Sequence, residues 1–220
     1  MQERTVEIPA DSSQIAADLA FPDRPEGVVI FAQGSVSTRF SPRHWQVAER
    51  LNRAGFATLL PDLLTVEEDL DRRNAFDVDL LTERLLATTR WLQRCSPSEP
   101  VPIGYFGIST GAAAALRAAS SLRYEIASVV CRGGRPEMAG AALGLVTAPT
   151  LLIVGGADRT VLALNEEAAD QLHCPHELAV VPGATHLFRE LGALEQVGEL
   201  AADWFTRTIA HNLPARSAAG

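Results

Sequence analysis

No lysine occurs in this 220-residue chain; all nineteen of its basic residues are arginines, scattered along its length. Set against twenty-seven acidic residues, they leave a net charge of −8. Nucleic-acid binding calls for a basic face, because phosphate contacts supply most of that affinity. No nucleic-acid partner is therefore expected. Cysteine is also scarce. Cys95, Cys131 and Cys174 form no C-x-x-C pair and leave an odd thiol, which implies neither a disulfide framework nor a zinc ligand set. No apolar run approaches the length of a membrane span, and the opening segment MQERTVEIPADSSQ lacks the apolar stretch of a secretory signal. The expectation is a soluble cytoplasmic protein with no membrane partner, a monomer or homodimer. Internal repeats and linker-like stretches are absent too, which predicts one domain over 1–220 with a loose tail after Asn212.

What is present is a globular balance, 47% apolar and 21% charged residues. Short apolar runs rich in Val, Ile and Leu alternate with helical patterns, the signature of a mainly parallel sheet covered on both faces. Two weak strands, near Thr5–Ile8 and Gln14–Leu19, suit an antiparallel edge. Strands follow at Val28–Ala32, Ala57–Leu60, Val101–Phe106, Ala127–Cys131, Thr150–Val154 and Glu177–Val181. Helices are predicted from Pro42 to Ala54, stopped by Gly55, and over Phe76–Cys95, Thr110–Ser120, Leu162–Leu172 and Leu191–Ala210. The charged stretch Glu67–Asn74 reads as a solvated connection. In such a doubly wound sandwich, ligands bind outside the carboxyl ends of the strands. Functional residues should therefore sit in loops just after strands.

Gly107-Ile108-Ser109-Thr110-Gly111 is a G-x-S-x-G sequence between an apolar strand and an alanine-rich helix, the setting a nucleophile elbow requires. The sharp turn lifts the Ser109 hydroxyl clear of the sheet, and its neighbours two residues away must lack bulk. A serine hydroxyl needs an imidazole to accept its proton. Of five histidines, His44 and His173 fall inside or beside helices, His176 precedes a strand and His211 lies near the tail; these read as packing or surface residues. His186 instead follows the last strand through Pro182-Gly183-Ala184-Thr185. Asp158, after the strand ending near Val154, completes the chain order Ser…Asp…His. Asp62 is the competing acid, but it precedes the nucleophile and suits a loop-organising role. The oxyanion donors are expected at the backbone N–H groups of Thr110 and Ser35, with Gly34 the fallback.

Together, the stretches FAQGSVSTRFSPR, ATLLPDLLT, GYFGISTGAAAAL, CRGGRPE, APTLLIVGGAD and VPGATHLF resemble the dienelactone-hydrolase-like α/β-hydrolases. The nearest likeness is to small bacterial serine hydrolases, some of them fused to phosphoribosyltransferase domains. The resemblance implies an α/β-hydrolase fold with a mostly parallel eight-stranded sheet, no cofactor, and carboxylesterase-type activity on small esters. The sequence departs from that pattern twice. Gln33-Gly34 replaces the usual His-Gly of the oxyanion loop. Ser109 stands where dienelactone hydrolases proper have cysteine, so their substrate is not carried over. Gln33, Arg39 and Arg132 are candidate substrate contacts, the arginines by bidentate pairing with a carboxylate. Only some eighteen residues separate Cys131 from Thr150, too few for a cap domain, which predicts an open site for short acyl chains. Two rival readings remain: a thioesterase or other acyl hydrolase using the same three residues, and an inactive binding protein on the hydrolase fold.

Overall fold

The computed structural model describes residues 2–10, 13–34, 38–95 and 101–209. The tail beyond Asn212 and the predicted oxyanion donor Ser35 lie outside them. Eight strands form one sheet in the order β1-β2-β4-β3-β5-β6-β7-β8. They are β1 (Gln2–Ala10), β2 (Ser13–Phe21), β3 (Val28–Ala32), β4 (Ala57–Pro61), β5 (Ile103–Ile108), β6 (Ile126–Arg132), β7 (Thr150–Gly155) and β8 (His176–Val181). β1 pairs antiparallel with β2, and β2 antiparallel with β4; every other pairing is parallel. The expected antiparallel edge and parallel centre are both found.

Burial explains the order. β3, β4, β5 and β7 are buried at every residue, as strands covered on both faces must be, and their sequences are correspondingly mostly apolar. β1 and β8 expose much of their length and close the two edges. Alternation sends Val28, Ile30 and Ala32 to one face and Val29 and Phe31 to the other. On the second face lie α1 (Pro42–Arg53) and α6 (Ala193–Ile209); on the first lie α3 (Val78–Cys95), α4 (Thr110–Leu122) and α5 (Arg159–Ala169). Phe205 of α6 packs against Phe56, and a methyl group at Gly104 of β5 would overlap its ring, so this helix sits unusually close to the sheet.

Two connections differ from the sequence expectation. Within Glu67–Asn74, a short helix α2 (Val66–Asp69) forms, because Thr65 and Glu68 cap each other: the Glu68 amide donates to the Thr65 hydroxyl, and the Thr65 amide donates to the Glu68 carboxylate. Arg84 of α3 then donates to Glu68 over 2.7 Å, tying the segment down. Between β6 and β7, Pro136–Leu145 coils into 3-10 turns kinked at Gly140, and α3 starts at Val78 rather than Phe76. Among the described residues, no helix is long and apolar enough to cross a membrane.

Candidate active site

The site begins at the carboxyl end of β5. Ser109 adopts φ 52°, ψ −122°, a left-handed conformation unusual for a residue with a side chain. The turn is possible because its flanking glycines leave no bulk. A methyl group on Gly107 would lie 2.5 Å from the Ala112 Cα, and one on Gly111 would overlap the Ala32 carbonyl at the end of β3. The alanines Ala112–Ala115 and Leu116 of α4 are fully buried, so the helix lies directly on the sheet and aims its amino end at the turn. The Thr110 N–H, the first of the helix, has no acceptor within it. The Thr110 hydroxyl donates to the Ala75 carbonyl over 2.7 Å, fixing that residue. Gly34 lies close beside it: a methyl group there would come within 2.7 Å of the Thr110 oxygen. Gly34 is thus held beside Thr110, the first residue of α4.

Two loops bring acid and imidazole together. Gly156 N–H donates to the Val181 carbonyl and Ala157 N–H to the Ala184 carbonyl, each over 2.9 Å. Only glycine fits at residue 155, where a methyl group would lie 2.8 Å from the Ala184 carbonyl carbon. This lacing sets the Asp158 carboxylate 2.9 Å from Nδ1 of His186. The other Asp158 oxygen accepts from the Val161 N–H at the start of α5. With its proton on Nδ1, the ring presents an unprotonated Nε2. Gly133, at φ 51°, passes just behind, with its missing methyl 3.3 Å from the His186 carbonyl oxygen. Beneath the loop, Phe188 is buried in a left-handed conformation (φ 49°), a further local strain that sequence patterning gives no sign of.

Ser109 and His186 line one cavity of about 300 Å³, together with Gln33, Arg43, His44 and Arg132. No hydrogen bond joins the Ser109 hydroxyl to the His186 ring among the described residues. The ring is 41% exposed, so it can turn, and such bonds commonly tighten only when substrate enters. Of the three candidate substrate contacts, Gln33 and Arg132 line this cavity. Arg39 does not. Its Nε donates to Asp62 over 2.8 Å, and its guanidinium also neighbours Asp18, so it braces the loop after β3 and lines a different hollow. A carboxylate within reach captured this arginine, and Asp62 organises the loop as expected of it. Arg43 and His44, at the start of α1, were not singled out as site residues. The signal that could have found them is Pro42, which marks a helix beginning directly after the oxyanion loop.

Arg132 is 6% exposed at the end of β6. Its Nη2 donates to the Leu187 carbonyl over 3.3 Å, and its guanidinium lies 5.0 Å from the centre of the Phe188 ring. Burial, with a smaller contribution from the nearby Arg43 charge, lowers its pKa to about 10. Cys131, wholly buried next door, has its thiol pushed up to about 12 by desolvation and offers no nucleophile. Among the described residues, no cluster of three or more His, Cys, Asp or Glu side chains is arranged to hold a metal ion. A larger hollow of about 880 Å³ opens at the opposite edge, near Val28, Ala57 and Ile103 at the amino ends of the strands. It is away from the edge where open α/β sheets bind ligands.

Residues 15–210 match the model of the dienelactone hydrolase family. A dienelactone hydrolase from Anabaena variabilis has a similar structure, with a TM-score of 0.90 and 47% identity over 94% of this chain and 98% of that one. Est1E from Butyrivibrio proteoclasticus shares the fold at a TM-score of 0.74 and 19% identity, covering 94% of this chain and 99% of its own. Two curated Mycobacterium tuberculosis proteins, both carrying the name "Putative phosphoribosyl transferase", are 52% identical over 93% of this chain. The chain spans only 46% of their length, about half of each. By family model and fold alike, the chain belongs to the dienelactone hydrolase family and has the α/β-hydrolase fold.

Proposed function

We propose that the chain is a serine carboxylesterase acting on small esters through a covalent acyl-enzyme. Ser109 Oγ attacks the acyl carbon while His186 Nε2 accepts its proton, and the Asp158 carboxylate holds the ring's orientation and stabilises the imidazolium. The oxyanion that develops accepts from the Thr110 N–H and from an N–H of the loop after β3, Gly34 or Ser35. Collapse expels the alcohol, which takes the proton from His186. Water then repeats the sequence at the acyl carbon and frees the carboxylic acid. Gln33 and Arg132 contact the substrate within the cavity.

The observation that carries this reading is the pairing of the 2.9 Å His186–Asp158 contact with a strained Ser109 on the same cavity wall. The cavity, about 300 Å³, favours short acyl groups. A series of 4-nitrophenyl esters from acetate to palmitate tests it. The expected result is turnover of acetate and butyrate, falling steeply at longer chains and lost in Ser109→Ala. No turnover of any member, or a preference for palmitate, would contradict the proposal. Faster turnover of acetyl-CoA than of the esters would make the leaving group a thiol instead.

A further inference from the structure

The cavity beside Ser109 holds two guanidinium groups and, among the described residues, has no carboxylate in its lining. Arg132 is buried, and its Nε has no hydrogen-bond partner. Arg43, from the first turn of α1, reaches the same cavity, and its Nη2 is likewise buried without a partner. Neither forms an ion pair among the described residues. The other charged and titratable groups nearby do not neutralise them. Arg189 adds repulsion to Arg43. The exposed Glu190, which pulls the other way, spends its carboxylate oxygens on the Thr185 amide and hydroxyl. His44 and His186 share the wall and contribute no negative charge. Desolvation is the main cause that lowers the pKa of both arginines, Arg132 being the more deeply buried of the two. Buried charges persist where something pairs with them, and among the described residues no side chain does so.

We propose that the missing partner is a doubly charged oxyanion on the substrate, a phosphomonoester group, clamped between Arg132 from β6 and Arg43 from α1. Guanidinium groups bind such oxygens through paired N–H donors. A phosphomonoester presents three terminal oxygens and a charge of about −1.5 to −2 at neutral pH, enough to meet donors arriving from two different elements. A single carboxylate, with two oxygens and one charge, would leave the pair with excess positive charge. The idea deepens the esterase proposal and rests on it for the claim that the anion belongs to a substrate cleaved at Ser109.

Calorimetry with inorganic phosphate and with acetate, at fixed ionic strength, tests the binding directly. Phosphate is expected to bind at least tenfold more tightly than acetate and to compete with 4-nitrophenyl acetate. Arg43→Gln and Arg132→Gln should each weaken phosphate at least tenfold, whereas Arg207→Gln, a surface arginine paired with Glu177, should leave it unchanged. Should the buried Arg132→Gln variant fail to fold, the more accessible Arg43→Gln carries the test. Equal affinity for phosphate and acetate, an unaltered Arg43→Gln, or non-competitive inhibition each overturns the proposal. Calorimetry needs no turnover: an inactive protein that binds phosphate through these arginines sinks the esterase reading alone.

Discussion

Gly111→Ala is the most informative single perturbation, because it disturbs the geometry of the site while removing none of its chemical groups. The added methyl would lie 2.7 Å from the Gln33 amide nitrogen and closer still to the Ala32 carbonyl, both rigid main chain. Relief requires α4 to move away from β3 by roughly 1 Å, separating the Thr110 N–H from the loop that carries the second oxyanion donor. A misplacement of about 1 Å costs on the order of 100-fold in rate, and loss of one oxyanion donor about 100- to 1,000-fold. The expected result is a fall in kcat for 4-nitrophenyl acetate of about 100-fold or more. Overpacking of this kind destabilises by about 1–3 kcal/mol, so Tm should drop by several degrees but leave a folded protein. Gly140→Ala serves as the control: at φ 58°, ψ −136° with open space around it, it meets only backbone strain of about 1–3 kcal/mol and should keep wild-type kcat. A folded Gly111→Ala with wild-type kcat would refute the claim that α4 and β3 jointly position the oxyanion donors.

Asp158→Asn should lower kcat by on the order of 10⁴-fold while Tm changes little, since asparagine still caps α5 at the Val161 N–H; a loss below tenfold would mean that the carboxylate does not serve the imidazole. Glu68 supplies a pH prediction. Desolvation raises its pKa, but hydrogen bonds from Thr65 and from Arg84 outweigh that and hold it below the ordinary 4.5. Its contribution to stability is therefore present above that value and lost as pH falls through the lowered one. Urea unfolding should show wild type more stable than Glu68→Gln at pH 7, with the gap closing towards pH 3; a gap independent of pH would contradict this.

The strands, and the loops after them that carry Ser109, Asp158 and His186, were legible because they rest on strong local signals. Short runs rich in Val, Ile and Leu such as VVIFA and TLLIVG suit doubly covered strands, and the glycines at 107, 111 and 155 mark close backbone approaches that a methyl group would block. Thr65-x-x-Glu68 carried a readable cap signal, yet the charge around it suggested a solvated loop; the reciprocal capping and the reach of Arg84 from a distant helix decided otherwise. Arginines were the least legible. Arg39 and Arg43 stand four residues apart, but Asp62 and Asp18 claim the first and, among the described residues, no carboxylate forms an ion pair with the second. Which partner an arginine finds depends on contacts distant in sequence. The left-handed conformation of Phe188 has the same origin, imposed by packing beneath the His186 loop.

Reaction with a fluorophosphonate, followed by intact mass and peptide mapping, addresses the nucleophile itself. An activated hydroxyl at residue 109 predicts a single adduct on the wild-type chain, mapped to the peptide that contains Ser109 and absent from Ser109→Ala. A wild-type protein that stays unlabelled, or takes the label elsewhere, would contradict the assignment and leave this fold as a binding scaffold.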